Sequence, residues 1–267
     1  MGAEPWQLRV FKRSLKKKEK FKLLQQNFFV DPSSTILDLG CAQGTMSYFL
    51  RGKGGFWISV DQDFFNLKST QHLLLDNLVQ LREGPLPFKS FSFDCVVSLD
   101  YLEHLEDDDF CLEEIHRVLK KNGQLILATP QTGKFFFLHK LRHLLGLKLE
   151  FYGHKREGYS LLTLQEKLKK AGFSFRFQKN FSRFFTEFLE LALNFLYIKL
   201  FRPKTPLGLR DGHIRPTSSD EFRSKKKTFQ LYSLIYPFVW LFSRLDKVLF
   251  FQKGYGLMIW AQKEEDK

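Results

Sequence analysis

The sequence has few cysteines and no sign of a secretory leader. Its 267 residues include three cysteines, Cys41, Cys95 and Cys111, with neither CxxC nor histidine-paired spacing. An odd number without such spacing argues against a disulfide framework and a structural zinc site, and it favours a reducing, cytosolic setting. The basic N-terminus has no continuous apolar stretch followed by a small-residue cleavage site, so export is not expected.

Long apolar runs and acidic residues are also scarce. The longest uncharged apolar run, 228–243, is interrupted by Pro237 and is shorter than the roughly 20 residues that span a bilayer, so no transmembrane helix is predicted. The 29 acidic residues are outnumbered by 42 lysines and arginines, which gives a net charge of +13. The surface should therefore attract an anionic partner, whether nucleic acid, phospholipid headgroups or an acidic substrate, and charge alone does not choose among them.

The apolar residues alternate between strand-like and helix-like patterns, which predicts an α/β fold. We expect a Rossmann-like, doubly wound, seven-stranded sheet with an N-terminal basic helix and a helical insertion between the sixth and seventh strands. The predicted strands are 35–39, 56–60, 78–81, 93–98, 124–128, 173–179 and 255–262. The predicted helices begin near residue 45 and cover 64–75, 108–119, 134–148 and 163–171.

These elements divide the chain into four segments. They are a basic helical lead-in (1–30), a cofactor-binding domain (31–180), an apolar and basic helical insertion (181–250), and the last strand with the tail (251–267). The lead-in could be a solvated helix packed on the sheet or a surface-binding element, since its apolar positions form no single stripe. In the insertion, two apolar helical regions, 184–201 and 229–250, flank a basic loop.

A glycine-containing turn follows the first predicted strand. The apolar strand ends in Asp38, and Gly40 and Gly44 would let the backbone approach a nucleotide closely before the next helix. The GxGxxG pattern of a dinucleotide site is absent, and Asp38 would disfavour a pyrophosphate but could hold an ammonium group. The alternative reading is an ordinary tight turn between a strand and a helix.

A second acid supports the interpretation of the glycine turn as a nucleotide-binding loop. Asp61 ends the next strand, about twenty residues after the glycine turn, where an acid is placed to accept hydrogen bonds from both hydroxyls of a ribose. A lone acid at a strand end is usually only a cap, but the combination with Asp38 and the glycines favours a nucleoside-containing ligand.

Taken together, these motifs resemble class I S-adenosylmethionine (SAM) dependent methyltransferases, particularly the branch that makes ubiquinone and menaquinone and methylates small molecules and lipids. The resemblance covers about residues 34–179. It rests on Leu37-Asp38-Leu39-Gly40-Cys41-Ala42-Gln43-Gly44, Asp61, Leu86-Pro87-Phe88, Ser92-Phe93-Asp94, Leu102-Glu103-His104 and Arg117-Val118-Leu119-Lys120.

The resemblance implies SAM as the cofactor and assigns the residues around it. The loop of Asp38, Gly40, Cys41, Ala42, Gln43 and Gly44 would hold the methionine part. Asp61 would hold the ribose, with Gln62 beside it, and the segment of Ser98, Leu99 and Asp100 would close over the cofactor.

Two departures from the family pattern concern the cofactor. Ala42 stands where the family usually has glycine, which a backbone with negative φ would tolerate. In the family, an acid near the third strand commonly binds the adenine amine. This sequence has no clear counterpart of that acid, so the adenine contacts stay unassigned.

His104 is the predicted catalytic residue. It follows the fourth strand and could remove the proton from a hydroxyl acceptor, although it could instead pack beside the turn. Relatives that make ubiquinone have two acids and a histidine that can hold a divalent cation, and Asp100, Glu103 and His104 could reproduce that set. The helix 134–148 lies where the fold builds its acceptor lid, so His139, His143, His154 and Tyr159 are further candidates for acceptor contacts.

The sequence therefore predicts a methyltransferase for a hydrophobic small-molecule or lipid-like acceptor, with oxygen favoured as the methylated atom. We expect the insertion to attach the chain to the cytoplasmic face of an anionic membrane, although its helices could instead bury themselves in a dimer or against the sheet. The rival is a nucleic-acid methyltransferase or binding protein. It is disfavoured because Ser98-Leu99-Asp100-Tyr101 lacks the Pro-Pro-aromatic pattern of many nucleic-acid amino-methyltransferases.

Overall fold

Seven strands form one mixed sheet in the computed structural model, which describes residues 4–134, 136–147, 149–201, 209–210, 213–214 and 219–264. The strands are β1 (Thr35–Leu39), β2 (Phe56–Asp61), β3 (Leu78–Gln80), β4 (Phe93–Leu99), β5 (Leu119–Pro130), β6 (Phe173–Phe181) and β9 (Gly256–Lys263). Their order is β3-β2-β1-β4-β5-β9-β6, and β9 runs antiparallel to both of its neighbours. This topology confirms the predicted Rossmann-like fold.

The helices alternate with the strands and then fill the insertion. They are α1 (Trp6–Phe11), α2 (Leu15–Asn27), α3 (Thr45–Arg51), α4 (Phe64–Thr70), α5 (Asp108–Val118), α6 (Phe137–Leu144), α7 (Leu161–Lys170), α8 (Phe184–Phe201), α9 (Ser219–Ser224) and α10 (Lys226–Ser243). Short 3₁₀ turns cover Leu102–His104, Leu149–Tyr152 and Arg244–Lys247, and a small ribbon pairs β7 (Leu209–Arg210) with β8 (His213–Ile214). The lead-in is thus two helices rather than one.

The two faces of the sheet have separate cores. On one face, α5 and α7 bury side chains such as Leu112, Ile115 and Leu164 against strand residues. On the other face, the basic lead-in buries Leu24 and Phe28 among residues that include Trp57, Met258 and Trp260. The interpretation of the lead-in as a helix packed on the sheet therefore describes α2.

Strand β5 is longer than the predicted 124–128. It begins at Leu119, which pairs with Phe93, and its register then shifts before Cys95 pairs with Gln124. Residues 121–123 form an irregularity within the strand, where Asn122 adopts a positive φ of 60°.

Helix α8 of the insertion shares a third, smaller core with α6 and its neighbouring residues. Leu138 of α6 and Leu191 of α8 are buried together with Phe136, Leu147 and Tyr255. Apolar side chains do not all point inward on α6, because Phe137 and Leu144 are exposed whereas His139 is buried. The His139 ring turns inward because its Nε2 hydrogen-bonds to the Gln131 carbonyl at 3.0 Å.

Candidate functional site

The glycine turn between β1 and α3 is tightly folded at the carboxyl end of the sheet. The amides of Gly40 and Cys41 each donate to the Val60 carbonyl at 2.9 Å. Gly40 and Gly44 have φ angles of 83° and 75°. A Cβ on Gly40 would lie 2.5 Å from Cδ2 of Tyr101, and one on Gly44 would lie 2.6 Å from Cγ2 of Thr70. Both positions therefore require glycine.

Ala42 also has a positive φ, of 47°, so the backbone does not have the negative φ at which alanine would replace glycine without strain. Its amide donates to Asp61 Oδ2 at 2.8 Å, and its carbonyl accepts from Thr70 Oγ1 at 2.8 Å. These two hydrogen bonds hold the residue in a left-handed conformation that alanine rarely adopts. Ala42 itself is exposed, Gln43 is half-buried and Cys41 is buried.

Asp61 ties the glycine turn to the start of α4. Its carboxylate is 7 % exposed, and burial raises its pKa. Oδ1 accepts from the Asp63 amide at 2.9 Å and from Asn66 Nδ2 at 3.2 Å, while Oδ2 accepts from Ala42. Since a carboxylate oxygen has two lone pairs, Oδ2 can take one further donor, but a second ribose hydroxyl would have to displace Asn66 from Oδ1. The neighbouring Gln62 side chain is exposed.

Two buried polar atoms beneath the turn have no hydrogen-bond partner within the described part of the chain. They are Oδ2 of Asp38 and Oγ of Ser98, and they end the adjacent strands β1 and β4, where Leu39 pairs with Ser98. Burial raises the pKa of Asp38 to about 6. Buried polar atoms are rarely left unpaired, so the strand ends fit a ligand with polar groups of its own.

Asp100 is contacted by the lead-in helix α2. Its φ is 53°, and its amide donates to the Ala128 carbonyl at 2.8 Å. Its carboxylate forms an ion pair with Lys20, whose side chain is buried. Burial, together with the smaller effect of nearby Lys16, lowers the pKa of Lys20 to about 7, while Glu103 opposes this shift. No sequence motif pointed to Lys20, because a lysine in a lysine-rich helix is normally solvated.

Beyond Asp100, a polar cluster is formed by Glu103, His104, Tyr152 and His154. The rings of His104 and His154 are perpendicular, with centroids 4.7 Å apart. Glu103 is fully buried, and burial raises its pKa to about 7. Three atoms of this cluster, Glu103 Oε1, Tyr152 Oη and His154 Nδ1, have no hydrogen-bond partner among the residues described. The cluster therefore offers both donors and acceptors to a ligand.

His104 is held in one tautomer by the backbone. Its Nδ1 lies 3.0 Å from the Gly153 carbonyl oxygen, which can only accept, so Nδ1 carries the proton. In the neutral ring Nε2 is then the basic nitrogen, which suits a general base or a metal ligand.

The same cluster contains a set of residues that could hold a metal ion. One ligand atom each of Glu103, His104 and His154 lies within 4.8 Å of the others. Burial lowers the pKa of His154 to about 3, so its imidazole is neutral, as a ligand requires. The sequence suggested Asp100 as the third member; in the structure His154 takes that position and Asp100 pairs with Lys20.

The other candidates for acceptor contacts lie away from the cluster. His139 bonds to the Gln131 backbone, and exposed His143 pairs with Glu157. Tyr159 is buried and donates to Asp108 Oδ2 at 2.7 Å. The segment 152–159 therefore contributes Tyr152 and His154 to the cluster, while Tyr159 fastens the segment to α5.

Comparison with known proteins is consistent with this geometry. Residues 37–127 match a family model described as a methyltransferase domain. The ubiquinone biosynthesis O-methyltransferase of Pelagibacter ubique is 28 % identical over 98 residues, 35 % of this chain and 41 % of that protein. The malonyl-[acyl-carrier protein] O-methyltransferase of Hamiltonella defensa is 31 % identical over 121 residues, 45 % of this chain and 46 % of that protein.

Solved structures share the fold. The SAM complex of phosphoethanolamine N-methyltransferase 2 from Haemonchus contortus superimposes with a TM-score of 0.55 at 17 % identity, covering 93 % of this chain and 53 % of that one. The chain spans less than half the length of the two curated relatives above. The fold, the matched domain and the glycine turn with its strand-end acids agree, and residues 37–127 of the chain carry a SAM-dependent methyltransferase domain.

Proposed function

We propose that the chain transfers the methyl group of SAM to a hydroxyl of a hydrophobic small-molecule or lipid-like acceptor. The observation that carries the proposal is the proximity of the glycine turn to the polar cluster. Tyr101 packs on Gly40 of the turn, and its next neighbours in the chain, Leu102–His104, form the 3₁₀ turn that begins the cluster. The cofactor loop and the candidate base are thus joined by one short segment.

The chemistry follows from this arrangement. SAM, when bound, supplies a methyl group on a sulfonium, and transfer is an in-line displacement that depends on alignment with the acceptor. Gly40, Gly44 and Asp61 would fix the cofactor. His104 would accept the hydroxyl proton at Nε2, since Nδ1 is already engaged with Gly153. In a metal-dependent reaction His104 would instead use Nε2 to bind a divalent cation together with Glu103 and His154, and it would then not act as the base.

Two observations support a hydrophobic acceptor and oxygen as the methylated atom. The two curated relatives described above are both named as O-methyltransferases. In this chain, Lys20 of α2 contacts Asp100 and Lys18 of α2 contacts the apolar helix α10. Helix α2 thus connects the cofactor end of the sheet to an apolar helix, an arrangement that suits a hydrophobic acceptor. These findings give no support to the nucleic-acid alternative.

The test supplies the purified chain with methyl-labelled SAM and with lipid and small-molecule extracts, followed by mass spectrometry. We expect label in an apolar product bearing a new methoxy group, and label formed at least about 100-fold more slowly with His104→Ala. Label found only in RNA or DNA, or in no fraction at all, would refute the proposal.

A further inference from the structure

An apolar ridge runs along the outer side of α10 and the turn after it. It consists of Leu231, Leu234, Phe238, Leu241, Phe250 and Phe251, each at least 62 % exposed. The four residues within α10 are spaced by three or four, so they lie on one face of the helix. Adjacent exposed apolar side chains on this scale mark an interaction surface.

The inner face of α10 has the opposite character. Tyr232 Oη donates to the Arg13 carbonyl at 2.9 Å, and Lys18 Nζ donates to Tyr236 Oη at 3.4 Å. Ser243 is also buried. The hydroxyl-bearing side of the helix therefore faces the protein, and the hydrocarbon side faces outward. A helix whose outer face is exposed to water carries polar side chains on that face and apolar side chains on its inner face.

Cations surround the ridge. Residues 222–253 contain seven basic side chains and a single acid, Asp246. Asp246 is buried and accepts hydrogen bonds from the amides of Phe185 and Thr186 at 2.7 and 3.1 Å. The exposed charge beside the ridge is thus entirely positive over this stretch. It includes Lys226 and Lys227 at one end and Arg244, Lys247 and Lys253 at the other.

We propose that the apolar ridge rests on an anionic phospholipid bilayer, with α10 lying in the plane of the headgroups. The apolar side chains would enter the acyl boundary while the flanking cations contact the headgroups. Arg244 lies over the Trp240 ring, 4.8 Å from its centroid, a pair that suits the headgroup boundary. Within the described residues, no helix has the length and apolarity to cross a membrane.

A second copy of the chain fits the ridge less well. A two-fold contact is self-complementary, so the same patch would face itself. The basic side chains at the two ends of the ridge would then be brought near those of the partner, with no exposed acid in this stretch to offset them. An anionic bilayer would bury the apolar surface and would also attract the positive charge beside it.

The ridge is connected to the proposed acceptor site through α2, which contacts α10 at Lys18 and Asp100 at Lys20. The idea that the bilayer supplies a lipid-like acceptor rests on the proposed function. The binding of the chain to a bilayer does not. Binding can therefore be measured without SAM or an acceptor.

The test is flotation of the full chain with vesicles of phosphatidylcholine alone or mixed with phosphatidylglycerol, at low and high salt. Phe238→Glu places a carboxylate on the ridge at a residue that is 74 % exposed. The matched control is Leu162→Glu on α7, at a residue that is 71 % exposed. We expect binding only to the anionic vesicles, weaker binding at high salt, and about a tenfold loss for Phe238→Glu but not for the control.

Three results would overturn the inference. The first is no flotation with anionic vesicles at low salt, and the second is equal binding by Phe238→Glu and the unaltered chain. The third is a dimer that dissociates in Phe238→Glu while vesicle binding stays unchanged, which would assign the ridge to a second copy. A chain that binds vesicles but transfers no methyl group would refute the proposed function alone.

Discussion

At the scale of single residues, Asp61 combines a structural and a predicted ligand-binding role. Its carboxylate holds the Ala42 amide in the glycine turn and the Asp63 amide at the start of α4. Asn66 supplies a third donor, with the longest of these hydrogen bonds at 3.2 Å. A ribose hydroxyl that replaced Asn66 would exchange one hydrogen bond for another, so the site can bind a nucleoside with little loss.

We expect Asp61→Ala to weaken SAM binding on the order of 100-fold, because charge-assisted hydrogen bonds to the ligand and the support of the turn are both lost. Isothermal titration calorimetry measures the affinity. Asp76→Ala, which removes an exposed carboxylate paired with Arg51, is the control and should bind normally. Unchanged affinity in Asp61→Ala would remove the cofactor assignment.

A second prediction at this scale concerns His104. If Nε2 of His104 takes the proton from the hydroxyl group of the acceptor, His104→Ala should lower kcat by roughly 100-fold or more while SAM affinity is retained. The control is His143→Ala, which removes an exposed histidine paired with Glu157. Steady-state kinetics with an identified acceptor provide the measurement. Near-normal kcat in His104→Ala would show that His104 only packs beside the turn.

At the scale of elements, α2 connects the cofactor end of the sheet to the insertion through charged side chains. Lys16 pairs with Glu187 of α8 at 2.8 Å, Glu19 accepts from the Ser182 amide at 2.7 Å, and Lys20 pairs with Asp100. Glu187 is only 2 % exposed and also pairs with Arg142 of α6 at 2.9 Å. Removing one member would leave buried charges without partners, which is costly.

This arrangement predicts an acid-sensitive fold. Burial disfavours the Glu187 carboxylate, but Lys16 and Arg142 outweigh it and lower its pKa from 4.5 to about 2. A lowered pKa stabilises the folded state above the ordinary pKa, and this stability is lost as the pH falls from about 4.5 towards 2. Glu187→Gln should therefore cost about 3 kcal/mol at pH 7 and progressively less in acid.

Urea unfolding at several pH values measures this difference. Glu113→Gln, at an exposed glutamate of α5, is the control and should follow the unaltered chain at every pH. A Glu187→Gln chain as stable as the original at pH 7 would contradict the role given to the buried ion pairs.

At the scale of the whole molecule, the cofactor end of the sheet draws on segments far apart in sequence. The glycine turn, Tyr101, Lys20 of α2 and His154 meet there, and each belongs to a different part of the chain. A ligand bound at this end would contact several of these segments at once. Its binding free energy would then oppose unfolding of the entire domain.

SAM at about 100 times its Kd should therefore stabilise the chain by about 2.7 kcal/mol and raise the Tm by roughly 5 °C or more. Differential scanning calorimetry provides the measurement. Asp61→Ala should show a much smaller rise at the same SAM concentration. An equal rise in both chains would mean that SAM binds elsewhere.

The sheet and the cofactor motif could both be predicted from the amino-acid sequence, because both depend on local patterns. Strand and helix periodicity predicted the seven strands, with the ends of β1, β2 and β4 close to their observed bounds. Glycines in a turn and acids at strand ends are likewise local features. Local patterns gave no information at Ala42, whose positive φ is held by its amide donating to Asp61 and its carbonyl accepting from Thr70.

Which distant side chains meet could not be predicted from the sequence, and the folded chain shows it. Lys20 looks like one of several solvated lysines in sequence, yet packing of Leu24 and Phe28 on the sheet forces it into the interior beside Asp100. His154 joins Glu103 and His104 because the segment around it folds back over the 3₁₀ turn, where the Lys155 amide donates to the Glu103 carbonyl. Such contacts depend on long-range packing, which the spacing of residues along the chain does not encode.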